Sequence, residues 1–256
     1  MRDMGLSHAI RAAGGVRALA EKIGISQPSV SNWARVPAER VAAVEAATGI
    51  SRAALRPDLF AQPDVTRDDV DDVRAQEYAL LSALLARAPD GELLRRLASL
   101  RGDASPLGLA HAALAEAAKA ARADAVEREF FNLFIGIGRG ELMPYGSYYL
   151  TGFVYERPLA RLRGDLAALG IESVEGEAEP EDHAATLCEI MAGLASGRLE
   201  APKDAERALF ERHLAPWIGR FFTDLERAEE ADFYRRVGTL GRVFIDIEAE
   251  AFALPI

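Results

Sequence analysis

The chain has 256 residues, of which half are hydrophobic, and its formal net charge at pH 7 is −10. This length exceeds what one small domain needs, so the chain can bury more than one hydrophobic core. The single cysteine, Cys188, excludes an internal disulfide and is predicted to be a small core residue. No run of about 18 apolar residues and no N-terminal signal pattern occurs, so we expect a cytoplasmic protein without membrane insertion.

Charge divides the chain into two parts. Residues 1–57 carry eight Lys or Arg against four Asp or Glu, whereas residues 58–256 carry 22 against 36. A basic part suits a phosphate backbone, and an acidic part attracts basic peptides or proteins. The stretch after residue 60 combines Pro63 with five aspartates. We therefore predict a first domain over 1–60, an acidic linker over 61–74 and a second domain over 75–256.

The segment from Val16 to Arg35 has the spacing of a helix-turn-helix. Ala20 and Gly24 occupy the two tight positions, where a second helix crosses and where the backbone turns left-handed. Ser26 is predicted to cap the second helix, with Pro28 in its first turn. Apolar residues stand at every position that locks the two helices together, namely Leu19, Ile23, Ile25, Val30 and Trp33.

A second helix of this kind places its N-terminal residues against base edges in the major groove of double-stranded DNA. With Val30 and Trp33 pointing inward, four polar residues point outward: Gln27, Ser29, Ser31 and Asn32. Three basic residues are better placed for phosphates: Arg17, Arg35 and Arg40. The alternative is that these polar side chains form ordinary solvated surface.

The segment from Leu6 to Phe60 resembles the small phage Cro and YdaS-type repressor or antitoxin domains. The resemblance is carried by AIRAAGG at the start, by the helix-turn-helix, by VPAERV and by the closing LRPDLF. Such domains bind operators as dimers, so the resemblance implies DNA binding by a homodimer.

The second domain has a helical apolar period almost throughout. Apolar residues recur three and four positions apart, and no stretch alternates convincingly with period two. One predicted helical face runs from Phe210 to Leu225. The expected fold class is all-α, with a small helix-turn-helix domain followed by a bundle of about eight helices.

Two segments interrupt this regularity. Residues 131–158 run from a glycine-rich loop into five aromatic residues, which suit a groove that holds a peptide or, alternatively, pack the loop onto the bundle. A nucleotide loop is disfavoured there, because no strand precedes the glycines and no Gly-Lys-Ser/Thr follows. Residues 172–183 are strongly acidic, which is typical of a solvated loop, but Asp182 and His183 at the start of the next helix form a more specific arrangement.

Together these segments resemble the TorD-like family of redox-enzyme maturation chaperones, over about residues 75–254. The motifs are E-x-x-x-L-F-x-G at 129–136, M-P-Y-G-S-x-Y-L at 143–150, E-P-E-D-H at 179–183 and F-x-x-H-L-x-P-W at 210–217. An acidic residue often follows the second motif in the family, and here it is Thr151.

The resemblance implies an all-helical chaperone without a cofactor of its own. It would bind the twin-arginine signal peptide, and so the apo form, of a molybdenum cofactor-dependent oxidoreductase such as a formate dehydrogenase or a dimethyl sulfoxide or trimethylamine N-oxide reductase. An aromatic cleft would take the apolar part of the peptide, while Asp182 and neighbouring acids would meet its arginine pair. The peptide-binding residues carried over are Pro144, Tyr145, Ser147, Tyr149, Pro180, Asp182 and His183.

An enzyme is disfavoured, since adjacent residues such as Glu181, Asp182 and His183 point different ways on a helix start, and no Ser-His-Asp or metal-ligand pattern appears. Three interpretations of the fusion remain open. The protein could be a chaperone that also senses its client, binding an operator when it is free of signal peptide. It could instead be a transcription factor that uses the bundle as a sensor or dimerisation domain. The third is that the N-terminal module only adds protein contacts.

Overall fold

A computed structural model describes residues 3–60, 67–171 and 179–254 of the chain. Throughout these ranges the regular structure is helical, apart from one isolated antiparallel bridge between Tyr145 and His183. The chain separates into two compact units, Met1–Thr66 and Arg67–Ile256. The predicted all-α fold class is therefore confirmed. No helix in the described residues is long and apolar enough to cross a membrane.

Unit 1 contains the predicted helix-turn-helix. Its two helices, α2 and α3, are joined through Gly24, whose φ of +70° is the left-handed conformation that favours glycine. Ser26 directly precedes α3 and Pro28 lies in the first turn, as predicted, but the Ser26 side chain accepts no hydrogen bond from a backbone N–H of the helix, and its hydroxyl lies 2.8 Å from that of Ser29 instead. The helices of the unit are α1 (Met4–Ala13), α2 (Val16–Lys22), α3 (Gln27–Ser31), a 3₁₀ turn (Ala38–Arg40), α4 (Val41–Thr48), α5 (Arg52–Leu55) and α6 (Pro57–Phe60).

The core of unit 1 is small and closely packed. Leu19 and Val30, one from each helix of the motif, are completely buried in it together with Leu55. Gly5 lies so close to α5 that a Cβ there would stand 2.2 Å from the Leu55 carbonyl oxygen. A glycine at this position lets α1 and α5 meet, which closes the core over the motif.

A buried arginine ties the end of unit 1 to the segment after α3. The Arg56 guanidinium donates to both carboxylate oxygens of Asp58, each at 2.7 Å, and to the Val36 carbonyl oxygen at 2.6 Å. The hydrogen bonds from Arg56 lower the pKa of Asp58 to about 2. Arg56 and Asp58 of the LRPDLF segment therefore hold the backbone that follows α3 in place.

In its described residues, unit 2 has ten α-helices, against the eight or so predicted from the sequence. Two of them continue into π-helical turns. The helices are α7 (Arg67–Ala86), α8 (Gly91–Leu97), α9 (Pro106–Ala120), α10 (Ala123–Phe130, then the π turn Phe131–Ile135), α11 (Gly146–Thr151), α12 (Arg157–Ala168), α13 (Ala184–Ala195), α14 (Ala205–Leu209, then the π turn Phe210–Leu214), α15 (Ile218–Arg227) and α16 (Phe233–Ala253).

The linker predicted over residues 61–74 is too long at its C-terminal end. Residues 67–74 form the first two turns of α7, while residues 61–66 lie outside the described ranges. The physical reason is Arg74, whose guanidinium donates to Glu248 at 2.7 Å, to Asp71 at 3.0 Å and to Glu206. These ion pairs hold the start of α7 against α14 and α16.

Helix α7 packs against α13, and α16 packs against both α9 and α15. Cys188 lies on α13 and is completely buried, as predicted for a core residue. Burial raises the pKa of its thiol to about 12, so the thiol is neutral at physiological pH.

The prediction of one continuous helical face from Phe210 to Leu225 is wrong, because the helix is interrupted. The chain passes from a π turn through Trp217 into a separate helix that begins at Ile218. Pro216 lacks the N–H that a continuous helix would use there. The apolar residues of the stripe are nevertheless buried together, because both pieces face the same core.

Candidate functional site

The candidate site of unit 2 is built on a short pairing between two loops. The Gly146 backbone N–H donates to the Asp182 carbonyl oxygen at 2.9 Å, and the Ala184 N–H donates to the Pro144 carbonyl oxygen at 2.8 Å. These bonds bring together the starts of α11 and α13, which are 38 positions apart in the sequence. We call residues 144–147 and 182–184 the Tyr145–His183 bridge.

Asp182 is buried within this bridge, with only 3% of its surface exposed. Its Oδ2 accepts a 2.6 Å hydrogen bond from the Ser147 N–H, so the carboxylate caps the first turn of α11. Its Oδ1 and the Ser147 hydroxyl are buried without a protein partner in the described residues. Gly146 lies close to the indole of Trp217, where a Cβ would stand 3.0 Å from Nε1, closer than an ordinary van der Waals contact.

His183 caps the other helix of the bridge. Its Nδ1 accepts a 3.1 Å hydrogen bond from the Ala185 N–H at the start of α13, so in the neutral ring the proton is on Nε2. Burial lowers the pKa of His183, although Glu179 and Asp182 oppose the shift. The ring also meets the Tyr145 ring edge to face, with 5.1 Å between centroids.

The bridge separates two cavities, and the neighbouring residues Asp182 and His183 line different ones. Tyr145 and Ser147 also line different cavities, because the backbone is extended at Tyr145 and helical from Gly146 onward. Tyr145 and His183 line one of them, a cavity of about 290 Å³ that we call the Tyr145 cavity. Ser147 and Asp182 line the other, the Ser147 cavity of about 460 Å³. The motif residues predicted to form one peptide site are therefore divided between two sides of the bridge.

The Tyr145 cavity is apolar with an acidic edge. The Tyr145 hydroxyl donates to Glu179 Oε2 at 2.6 Å, and both burial and this neighbour raise the pKa of Tyr145. The exposed carboxylate of Glu189 also lines the cavity. Its described lining contains no lysine or arginine and consists of Ser82, Leu85, Ala86, Phe130, Phe134, Ile135, Pro144, Tyr145, Glu179, His183, Ala185, Thr186 and Glu189.

The Ser147 cavity has the opposite character. Two arginines, Arg161 and Arg212, line it beside Asp165 and Asp182. His213 Nε2 lies 2.8 Å from Asp165 Oδ2, and the hydrogen bond to His213 lowers the pKa of Asp165. Positive and negative side chains in this lining are balanced, whereas the Tyr145 cavity carries only carboxylates.

Tyr149 and Pro180 line neither cavity. The Tyr149 hydroxyl donates to Asp224 Oδ2 at 3.0 Å, and its ring packs against Trp217 with 5.6 Å between centroids. Pro180 is buried, and its carbonyl oxygen accepts from the His183 N–H at 3.0 Å. Both residues support the walls of the site in this structure. At the end of α11, the Thr151 hydroxyl donates to the Ser147 carbonyl oxygen at 2.8 Å.

Sequence reasoning missed the apolar floor and Glu189. The floor comes from Leu85 on α7, 59 positions before Pro144, together with Phe130 and Phe134 of α10 and its π turn, 14 and 10 positions before Pro144. Glu189 follows Ala185 by four positions on α13, so the two share one helix face. Once His183 is assigned to the start of the helix, this spacing could have indicated that Glu189 lies on the same side of α13 as Ala185. The rest of the acidic segment, residues 172–178, lies outside the described residues.

Unit 1 presents the predicted DNA-contacting residues on its surface. The four polar residues of the recognition segment are exposed: Gln27, Ser29, Ser31 and Asn32. The three basic residues are exposed as well. Arg17 forms a 3.0 Å ion pair with Glu21, and Arg35 lies 3.4 Å from Asp58, while Arg40 ends the 3₁₀ turn before α4. Exposed pairs of this kind contribute little to stability, so these arginines can exchange partners readily.

The two units thus define an all-helical protein that combines a helix-turn-helix unit with a larger helical bundle. Residues 100–223 match the nitrate reductase delta subunit family, and residues 6–64 match the bacterial toxin YdaS family. Both resemblances made from the sequence motifs are confirmed.

Individual relatives of unit 2 are chaperones by name. Chaperone protein TorD of Shewanella loihica is 24% identical over an alignment of 213 residues, and this alignment covers 74% of this chain and 98% of that protein. Chaperone protein TorD of Vibrio cholerae is 27% identical over 126 residues, 46% of this chain and 57% of the relative. Probable Tat proofreading chaperone DmsD of Haemophilus influenzae is 30% identical over 117 residues, 45% of this chain and 56% of the relative. The chain thus spans little more than half of the last two relatives.

Proposed function

We propose that this protein is a cytoplasmic, non-enzymatic chaperone that binds the twin-arginine signal peptide of a molybdenum cofactor-dependent oxidoreductase and assists its maturation. The observation that carries the proposal is the Tyr145 cavity, which combines an apolar floor with exposed carboxylates and no lysine or arginine. A twin-arginine signal peptide has the complementary chemistry, an arginine pair followed by an apolar segment. The names of the TorD and DmsD relatives support the same class of function.

The apolar segment of the peptide would lie on the aromatic floor. Ile135 is 54% exposed at the edge of the cavity, beside Phe134. Exposed apolar side chains of this size gain free energy when a peptide covers them, about 25 cal/mol per Å² of apolar surface. His183 and Asp182 would act here as positioning residues, since each caps a helix of the Tyr145–His183 bridge.

Binding of a fluorescent twin-arginine signal peptide to the full chain tests the proposal. The peptide should come from the oxidoreductase encoded nearest to the gene, and a peptide of the same composition in scrambled order is the control. We expect Tyr145→Ala to weaken binding at least tenfold, because Tyr145 lines the cavity and meets His183. Tyr148→Ala is the matched variant, because Tyr148 bonds Arg139 outside both cavities. Equal affinity for both peptides would refute the proposal.

We further propose that unit 1 binds double-stranded DNA as a homodimer, with its recognition residues on base edges. The support is the exposed polar face of α3 and the match to the YdaS family. If the three arginines of each protomer each neutralise one phosphate, the logarithm of affinity should fall with the logarithm of salt by a slope of about −2.7 for each protomer bound, or about −5.4 for the dimer. Arg17→Ala should reduce the slope, while Arg52→Ala should not, because two nitrogens of the Arg52 guanidinium are held by Glu45, whereas Arg17 donates to Glu21 through Nε alone.

The same DNA measurement separates the remaining interpretations of the fusion. DNA affinity that changes when the signal peptide binds supports a chaperone that senses its client, since coupling requires different peptide affinity for the DNA-competent and incompetent states. DNA binding without peptide binding supports a transcription factor. Absence of DNA binding at low salt would leave unit 1 as a protein-contact module.

A further inference from the structure

The two cavities differ in charge, so a cationic side chain binds more favourably in one of them than in the other. A guanidinium entering the Ser147 cavity would approach Asp182, but it would also meet Arg161 and Arg212. Asp182 is almost completely buried and its Oδ2 already accepts from the Ser147 N–H, so only Oδ1 is left for a ligand. A guanidinium entering the Tyr145 cavity meets carboxylates and no like charge in the described lining. The sign of the local field therefore favours the Tyr145 cavity.

Two carboxylates stand at separate places along the α13 side of this cavity. Glu179 precedes the helix and uses one carboxylate oxygen, Oε2, to accept from the Tyr145 hydroxyl. Glu189 lies on α13 four residues after Ala185, which corresponds to about 6 Å along the helix axis. Ala185 and Thr186 line the cavity as well, with Ala185 in the turn before Glu189. The cavity thus offers two acceptors ten positions apart in the sequence, one before α13 and one on its second turn.

This arrangement suits two neighbouring arginines of an extended peptide. The side chains of two adjacent arginines in an extended segment start from opposite sides of the backbone, and their long stems let both guanidinium groups bend toward the same wall of the cavity, where each meets one acceptor. A guanidinium has a planar set of donors that pairs well with a carboxylate, whereas an ammonium group is a point charge.

We infer that Glu189 is a specificity-determining residue that binds one arginine of the pair, while Glu179 binds the other. The inference rests on the proposed signal-peptide function and adds to it the residues that recognise the arginine pair. The bound peptide then lies along the N-terminal half of α13, with its apolar segment on the floor formed by Phe130 and Phe134.

The test is a double-mutant cycle between protein and peptide. Glu189→Gln and the control Glu200→Gln, an exposed acid outside both cavities, are measured with a peptide that carries both arginines and with two peptides in which one arginine is glutamine. We expect Glu189→Gln to weaken the two-arginine peptide about tenfold, or about 1.4 kcal/mol. For one of the single-glutamine peptides, the same substitution should have no further effect.

Two results would overturn the inference, and they differ in what else they overturn. If the wild-type protein prefers the twin-arginine peptide over the scrambled one but Glu189→Gln behaves like Glu200→Gln, the assignment of Glu189 is wrong and the proposed function stands. If the wild-type protein does not distinguish the two peptides, the proposed function and the inference fail together. A circular dichroism spectrum and unfolding midpoint equal to wild type confirm that the variant is folded.

Discussion

Replacing His183 with alanine removes two interactions that hold the Tyr145–His183 bridge in place. The imidazole Nδ1 no longer accepts from the Ala185 N–H, and loss of a helix cap costs about 1 kcal/mol. The edge-to-face contact with Tyr145 is lost too, which costs about another 1 kcal/mol. We therefore expect His183→Ala to lower the free energy of unfolding of unit 2 by about 2 kcal/mol.

Asparagine provides the matched control at this position, because its side-chain oxygen can cap the helix but has no ring. His183→Asn should lose only about half as much stability as His183→Ala. The assay is urea unfolding of the full chain followed by tryptophan fluorescence. The two tryptophans lie in different units, so a Trp33→Phe background leaves Trp217 as the reporter of unit 2. Equal losses in the two variants would refute the capping role of His183.

Three further predictions concern packing, pH and unit 1. Gly146→Ala should destabilise unit 2 by about 1–3 kcal/mol in the same assay, since the new methyl group would press on Trp217, while an alanine at Gly164 on α12 meets nothing within 4 Å and should not destabilise. Burial lowers the pKa of His183, so the neutral imidazole stabilises unit 2 fully above about pH 6.5, and this stabilisation is lost as the pH falls below that value. The difference in the free energy of unfolding between the wild type and His183→Asn should therefore shrink from about pH 7.5 to about pH 5. Asp58→Asn should lower the Tm of unit 1 at pH 7, and most of the difference from wild type should be lost as the pH falls from about 4 to about 2, because the pKa of the carboxyl is lowered from 3.8 to about 2 in the folded protein; a Tm difference as large at pH 2 as at pH 7 would contradict the ion-pair explanation.

The helix-turn-helix could be predicted because its constraints are local. A small residue where two helices cross and a glycine at a left-handed turn are dictated by contacts within about ten residues of chain. Ala20 is buried and Gly24 has a positive φ for these reasons. Ser26 could be placed at the start of α3 for a similar reason, because the preference of serine for the position before a helix depends only on neighbouring residues.

The division of the peptide-site motif between two cavities could not be predicted from the sequence. Whether Tyr145 and Ser147 face the same side depends on the pairing of their loop with the segment at Asp182, 35 positions away. The resemblance brought the two segments together as one site, and only the bridge geometry assigns each side chain to a cavity. The assignments of Tyr149 and Pro180 as direct peptide contacts likewise depend on packing against distant helices.

Helix boundaries were predicted least well where a single residue overrides the apolar period. Pro216 divides a stripe that otherwise reads as one helix, and the ion pairs of Arg74 extend α7 into a segment whose composition is typical of a linker. In both cases the apolar pattern indicated which residues are buried but not where the backbone turns.

Photo-crosslinking of a bound signal peptide tests the central claim most directly. A twin-arginine peptide with a benzophenone side chain in its apolar segment is bound to the full chain and irradiated, and the crosslinked residues are identified by mass spectrometry. The account predicts adducts on the Tyr145 cavity, at Leu85, Phe134 or Ile135. Adducts confined to Leu150 or Pro158 in the Ser147 cavity, or to unit 1, would contradict it.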